Sequence, residues 1–318
     1  MKPLEAGLSD GLAGSALAMP ELRSHLYFAG MIVLGVLVFA APLGVVGGLV
    51  FENETYSHIF LIPLVSLTLI AIHRRDILAG AVGKPVLGFS ICTMAIILYA
   101  AAEALRARLF PPAPQGQGEP NDYLSLCMAG VVTWVIGSFL SVYGPRAFRK
   151  GNFALLFLTF AIPIPTFLLN GVVALLQQAS AEVSNLVFMF SGVAYHRSGL
   201  VFEFSNVAVQ VAEQCSGVRS SLALFILSTV TGYLFLRTVS RRIILAIAVF
   251  PITLFKNALR IVTITLLANQ VDERFLTDHW IHRGGGMLFF AVALMLLIPL
   301  VWMLRKNECW FRTSIGRQ

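Results

Sequence analysis

Charge is scarce in this sequence. Only 12% of its 318 residues are Asp, Glu, Lys or Arg, against 57% hydrophobic, and the mean hydropathy is +0.81. That balance excludes a soluble globular protein and leaves an integral membrane protein. Cysteine is scarce too: Cys92, Cys127, Cys215 and Cys309 show no CxxC and no even framework, which excludes a disulfide scaffold. The net charge of +7 is not gathered into a patch. Its basic residues come in small groups between apolar runs, which argues against a nucleic-acid partner. No internal repeat stands out, and the Pro/Gly/Gln stretch 111–120 reads as an exposed loop.

Hydrophobic runs are what the chain has in abundance. Runs of about 20 residues, enough to cross a bilayer, fall near 28–50, 58–73, 85–105, 123–143, 152–176, 217–237, 243–269 and 284–304. They predict an all-α polytopic membrane protein of eight spans. Its parts are an N-terminal segment 1–27, a single transmembrane domain 28–304 and a tail 305–318. The first run is longer than a signal-peptide core and lacks a small-x-small cleavage site, so it is expected to stay as an anchor. Arg74, Arg75 and Lys84 follow the second run, Arg146, Arg149 and Lys150 the fourth, and Arg237, Arg241 and Arg242 the sixth; the tail carries Arg305 and Lys306. The alternate connections are acidic or mixed. By the positive-inside rule both termini are expected in the cytoplasm.

Two stretches depart from plain spanning helices. Pro163 and Pro165 in AIPIPTF remove backbone donors and restrict the residues before them, so the fifth span should break there, beside a cavity. Residues 177–214 lie outward. QQASAEVSNLVFMFSG has helical amphipathic spacing and HRSGLVFEFSNVAVQVAE alternates, which predicts a small outer cap with a short β-hairpin.

That cap leads directly to VAEQCSGVRS. Cys215 sits between Glu213 and Arg219, and Ser216 and Gly217 are residues that open helices. The thiol is therefore expected at or just before the first turn of the sixth span, beside unpaired N–H groups and the positive end of the helix dipole. Arg219 at i+4 would add to that effect. Arg260 lies about 25 Å along the seventh span at 1.5 Å per residue, in the outer half of the bilayer, with Asn257 and Lys256 a turn below. An arginine inside a span is costly and marks a functional site unless it snorkels. His279 and His282 occupy the loop before the eighth span, also outward. A thiolate can attack a peptide carbonyl, a histidine can move protons and a guanidinium can face an oxyanion. Zinc is the competing use of Cys215, His279 and His282, but no fourth ligand has suitable spacing, so neither metal nor cofactor is expected.

These residues resemble the exosortase/archaeosortase family of membrane-embedded cysteine transpeptidases. The resemblance is carried by VAEQCSGVRS, by KNALRI, which is N-x-x-R at Asn257 and Arg260, and by HRGGGMLFF, which is H-x-x-x-G-x-x-x-F at His282, Gly286 and Phe290. Lesser echoes are YSH at Tyr56 to His58 and PIP at Pro163 to Pro165. The resemblance implies catalytic Cys215, Arg260 and His282 at the outer face of a bacterial inner membrane. Glu213, Arg219, Asn257 and His279 would support the site or bind substrate. It also implies secreted substrates with a PEP-CTERM-like C-terminal signal, made of a Pro-containing motif, a transmembrane helix and a basic cluster. The acyl group would pass to a surface acceptor such as exopolysaccharide, and the remaining partners would be membrane lipids. His279 stays open as the alternative base. A transporter whose broken fifth helix and Arg260 line an anion path is the alternative class, and Cys215 discriminates, since a transporter needs no nucleophile.

Overall fold

The structure is a computed structural model that describes residues 22–52, 56–109, 121–212, 217–276 and 280–315. It is all-α apart from one small sheet, and the chain divides into two compact units, Met1–Thr166 and Phe167–Gln318.

In the first unit, α1 (Leu22–Val38) and the start of α2 (Ala40–Glu52) meet at 80°, where hydropathy alone predicts one straight span. They are followed by α3 (Ser57–Ile72), α4 (Arg74–Leu78), α5 (Pro85–Leu109) and α6 (Asn121–Phe157), the last continued by a 3-10 turn, Leu158–Ala161. The 37 residues of α6 would extend about 56 Å if straight. They fold back instead. Gly144 has φ 75° and ψ 178° inside the helical stretch and is followed by Pro145. Ser125, near the start of α6, donates from Oγ to the Pro163 carbonyl at 2.7 Å, a contact that only a reversal allows. A Cβ at Gly144 would come within 1.8 Å of the Val82 carbonyl oxygen, so the turn requires glycine twice, for its dihedral and for its lack of bulk. Lys150 donates from Nζ to the Asp76 and Ala79 carbonyls at 2.7 and 3.2 Å, so a basic residue expected only as a topology signal also caps α4.

The helix breaks over 162–165, where the prolines predict it. No cavity is needed to satisfy it. Ser125 takes the Pro163 carbonyl and Asn121 Nδ2 the Ile164 carbonyl, while Asp122 Oδ1 accepts the Thr166 N–H at 2.5 Å and caps the next helix. Side chains near the start of α6 thus cover the freed backbone as lipid requires. The unit's core gathers Phe39, Cys92, Ala95 and Trp134 in one cluster and Ile77, Phe139, Tyr143 and Leu155 in another.

α7 (Thr166–Ser191) opens the second unit. It runs unbroken past residue 176, where the sequence suggests the end of a span and a separate amphipathic helix. The predicted hairpin is present as β1 (His196–Ser198) and β2 (Val201–Glu203), turned by Gly199 at φ 62°. A third antiparallel strand, β3 (Ala208–Gln210), extends it. Phe202 and Val211 pack with Ala181 and Phe188 of α7, and with Ile261 and Val262 of α9 (Val239–Gln270), in one buried cluster. α8 (Val218–Phe235) and α10 (Trp280–Ile315) complete the unit, with Leu224, Leu245, Val249, Ala293 and Leu297 between α8, α9 and α10.

Six helices among the described residues are long and apolar enough to cross a membrane, or seven if the bent α1–α2 pair is one span. The expected eight are not recovered. That count takes the fourth and fifth runs together as Asn121–Ala161, across the reversal at Gly144. Ser57–Ile72, at 16 residues, is about 24 Å long and short of a 30 Å hydrocarbon core. The protein is a multi-pass membrane protein.

Candidate active site

The local sequence around the start of α8 explains how the site is built. Gly217 stands at the N-cap with φ 73° and ψ 16°, a left-handed conformation that favours glycine. Its carbonyl collects three donors: the Ser221 N–H at 2.9 Å, Ser221 Oγ at 2.6 Å and Ser220 Oγ at 3.1 Å. Gly217 itself offers no side chain to cap this first turn, whose amides carry the partial positive charge of a helix start.

Three helices hold the two ends of the segment that carries Cys215. On the near side, Gln177 of α7 donates from Nε2 to the Val211 carbonyl. On the far side, Gly217 rests against Asn257 of α9, so closely that a Cβ there would lie 2.9 Å from Oδ1 and 3.2 Å from Cγ. Asn257, completely buried, donates from Nδ2 to Ser180 Oγ at 2.9 Å and so ties α9 to α7. Lys256, at 4% exposure, donates from Nζ to Ser220 Oγ. Gln177 and Ser180 are three apart and share one face of α7. The frame therefore closes on itself: α7 to the strand end, α7 to α9, and α9 to the α8 start.

Of the residues expected in the site, the structure brings Asn257 into this frame and sets Arg260 one turn beyond it on α9, partly buried. Arg219 is the second residue of α8 and exposed. Helical geometry begins at Val218, and the expected i,i+4 stagger between Cys215 and Arg219 starts on a residue outside the described ones. Glu213, Cys215 and His279 lie outside the described residues. His282 has its backbone in the first turn of α10. This corrects the expected irregular loop, since Trp280 to Gly286 are helical and a Cβ at Gly286 would have nothing within 4 Å.

Sequence reasoning missed Gln177, Ser180 and Ser220, and named Lys256 only as a neighbour of Arg260. The available signal was polarity: a lysine inside an apolar helix is unusual enough to single out. Serines are not, because they cost little in a membrane helix by bonding their own backbone. The two lesser motifs meet elsewhere, in the first unit. There Tyr56 donates from its hydroxyl to Asn121 Oδ1 at 3.0 Å and Asn121 Nδ2 bonds the Ile164 carbonyl, so Asn121 bridges YSH and PIP.

Among known families, the model described as transmembrane exosortase (Exosortase_EpsH) fits residues 50–299. No curated protein and no solved structure matches the chain.

Proposed function

The chain belongs to the transmembrane exosortase family, and from that premise we propose that it is a cysteine transpeptidase cleaving C-terminal sorting signals of secreted proteins. In this reading the Cys215 thiolate attacks the peptide carbonyl at the signal's Pro-containing motif. The Arg260 guanidinium faces the tetrahedral oxyanion, and His282 protonates the departing amine. The thioacyl enzyme is then opened by an acceptor nucleophile, whose proton returns to the histidine as the thiolate leaves. The observation that carries the reading is the contact of Gly217 with Asn257. Two residues of chain, about 7 Å at full extension, join Cys215 to a point packed one turn from Arg260.

The charge asymmetry of the connections supports cytoplasmic termini and a site facing out of a bacterial inner membrane. The substrate's signal helix would then reach the site within the bilayer, in contact with lipid, and the acceptor would be a surface molecule such as exopolysaccharide. The test is processing of a tagged substrate in membranes by Cys215→Ala and Cys215→Ser. Both should accumulate normally and both should lose cleavage by orders of magnitude. Normal cleavage by the alanine variant would exclude covalent catalysis and leave the anion-path transporter as the reading to pursue.

A further inference from the structure

Lys256 is a lysine at 4% exposure within a membrane-crossing helix, and its amine is directed at a serine. Removing an ammonium from water is costly, and an apolar side chain of similar volume packs such a position at least as well. Stability therefore does not explain the residue; its contact does. The Ser220 hydroxyl that receives the amine sits in the first turn of α8 and donates to the Gly217 carbonyl at 3.1 Å. Asn257, the next residue of α9, meets Gly217 directly. Two consecutive residues of α9 thus fix the same left-handed turn, one through a hydroxyl bridge and one by contact.

We propose that Lys256, acting through Ser220, is a positioning residue for the Cys215 nucleophile: it holds the turn at Gly217, two residues on in the sequence, and sets a buried positive charge at that helix start. The inference rests on the reading of Cys215 as nucleophile. Lys256 exchanges no proton with substrate in this role, because the bridge ends on a backbone carbonyl. Its charge adds to that of the α8 amides, and both favour the anionic sulfur. A lysine suits the geometry, since a compact ammonium on a flexible stem can address a single hydroxyl where a planar guanidinium needs a wider acceptor set.

The test uses the full-length protein in membranes and two readouts for each variant: processing rate of a tagged substrate, and the pH dependence of Cys215 alkylation by iodoacetamide followed by mass spectrometry. Lys256→Met should reach normal abundance, process substrate roughly tenfold to a hundredfold more slowly at unchanged apparent substrate affinity, and move the alkylation midpoint up by about one pH unit. Ser220→Ala should shift both in the same direction by less, Ser220→Thr should restore them, and the double variant should be no slower than Lys256→Met alone. An unmoved alkylation profile in Lys256→Met overturns the proposal while leaving Cys215 as nucleophile. If Lys256→Met does not accumulate, Ser220→Ala decides, and wild-type behaviour there overturns the proposal. Processing by Cys215→Ala at the normal rate removes the nucleophile itself, and the proposal with it.

Discussion

Gly217 and Asn257 pack so closely that the space between them admits no side chain. A Cβ on Gly217 would stand 2.9 Å from the asparagine oxygen, and the backbone there, at φ 73°, disfavours any residue that has one.

Gly217→Ala should therefore act twice. The left-handed conformation costs an alanine about 1–2 kcal/mol, and relief of the clash moves either Asn257 or the start of α8. Unfolding in detergent should show the stability loss, and substrate processing should fall at least tenfold. An alanine variant with wild-type processing would show that the register of α8 against α9 is not required for activity.

Cys92 and Cys127 are thiols outside any disulfide, buried at 3% and 0% exposure. Alkylation of intact membranes at pH 7 should accordingly modify Cys215 before either, given its place beside a helix start. Peptide mapping after brief labelling would check this, and earlier modification of Cys92 or Cys127 would count against an activated Cys215.

Arg260→Lys retains a charge but loses the planar fork that can hold an oxyanion through two N–H groups. Processing should fall by about two orders of magnitude with membrane abundance unchanged. Full activity in the lysine variant would mean that a point charge suffices.

His282 and His279 separate by pH dependence. In the proposed cycle the histidine must be neutral to take the acceptor's proton, so activity should fall at acid pH as it becomes protonated. His282→Ala should remove most of the rate and that acid limb together, while His279→Ala keeps both. The reverse pattern would transfer the role to His279 and leave the thiol mechanism standing.

Gly144→Ala tests the fold and not the chemistry. Its Cβ would come within 1.8 Å of the Val82 carbonyl, a backbone atom that cannot swing away, at a φ of 75°. The variant should lose well over about 2 kcal/mol and accumulate poorly in membranes. Normal abundance would mean that α6 need not reverse at that residue.

The sequence by itself determined the features that depend on local composition. These are the apolar runs, whose lengths match a bilayer, the proline break at 162–165 and the helix that opens just after Cys215. The alternating stretch became β1 and β2, and the family resemblance read from the Cys, N-x-x-R and His motifs agrees with the family match over residues 50–299. Tertiary structure alone decided how those pieces meet. The reversal at Gly144 was hidden because a glycine-proline pair in an apolar stretch is equally compatible with a kink, a loop or a turn; contact with Val82 selects the turn. The frame around the Cys215 segment was hidden for a related reason. Gln177 reaches a partner 34 residues away, Lys256 one 36 away and Asn257 one 77 away. Periodicity along one helix says which residues share a face, but the rotation and register of that face against another helix come from packing. Only there did Ser220, Lys256 and Asn257 become the support of a single turn.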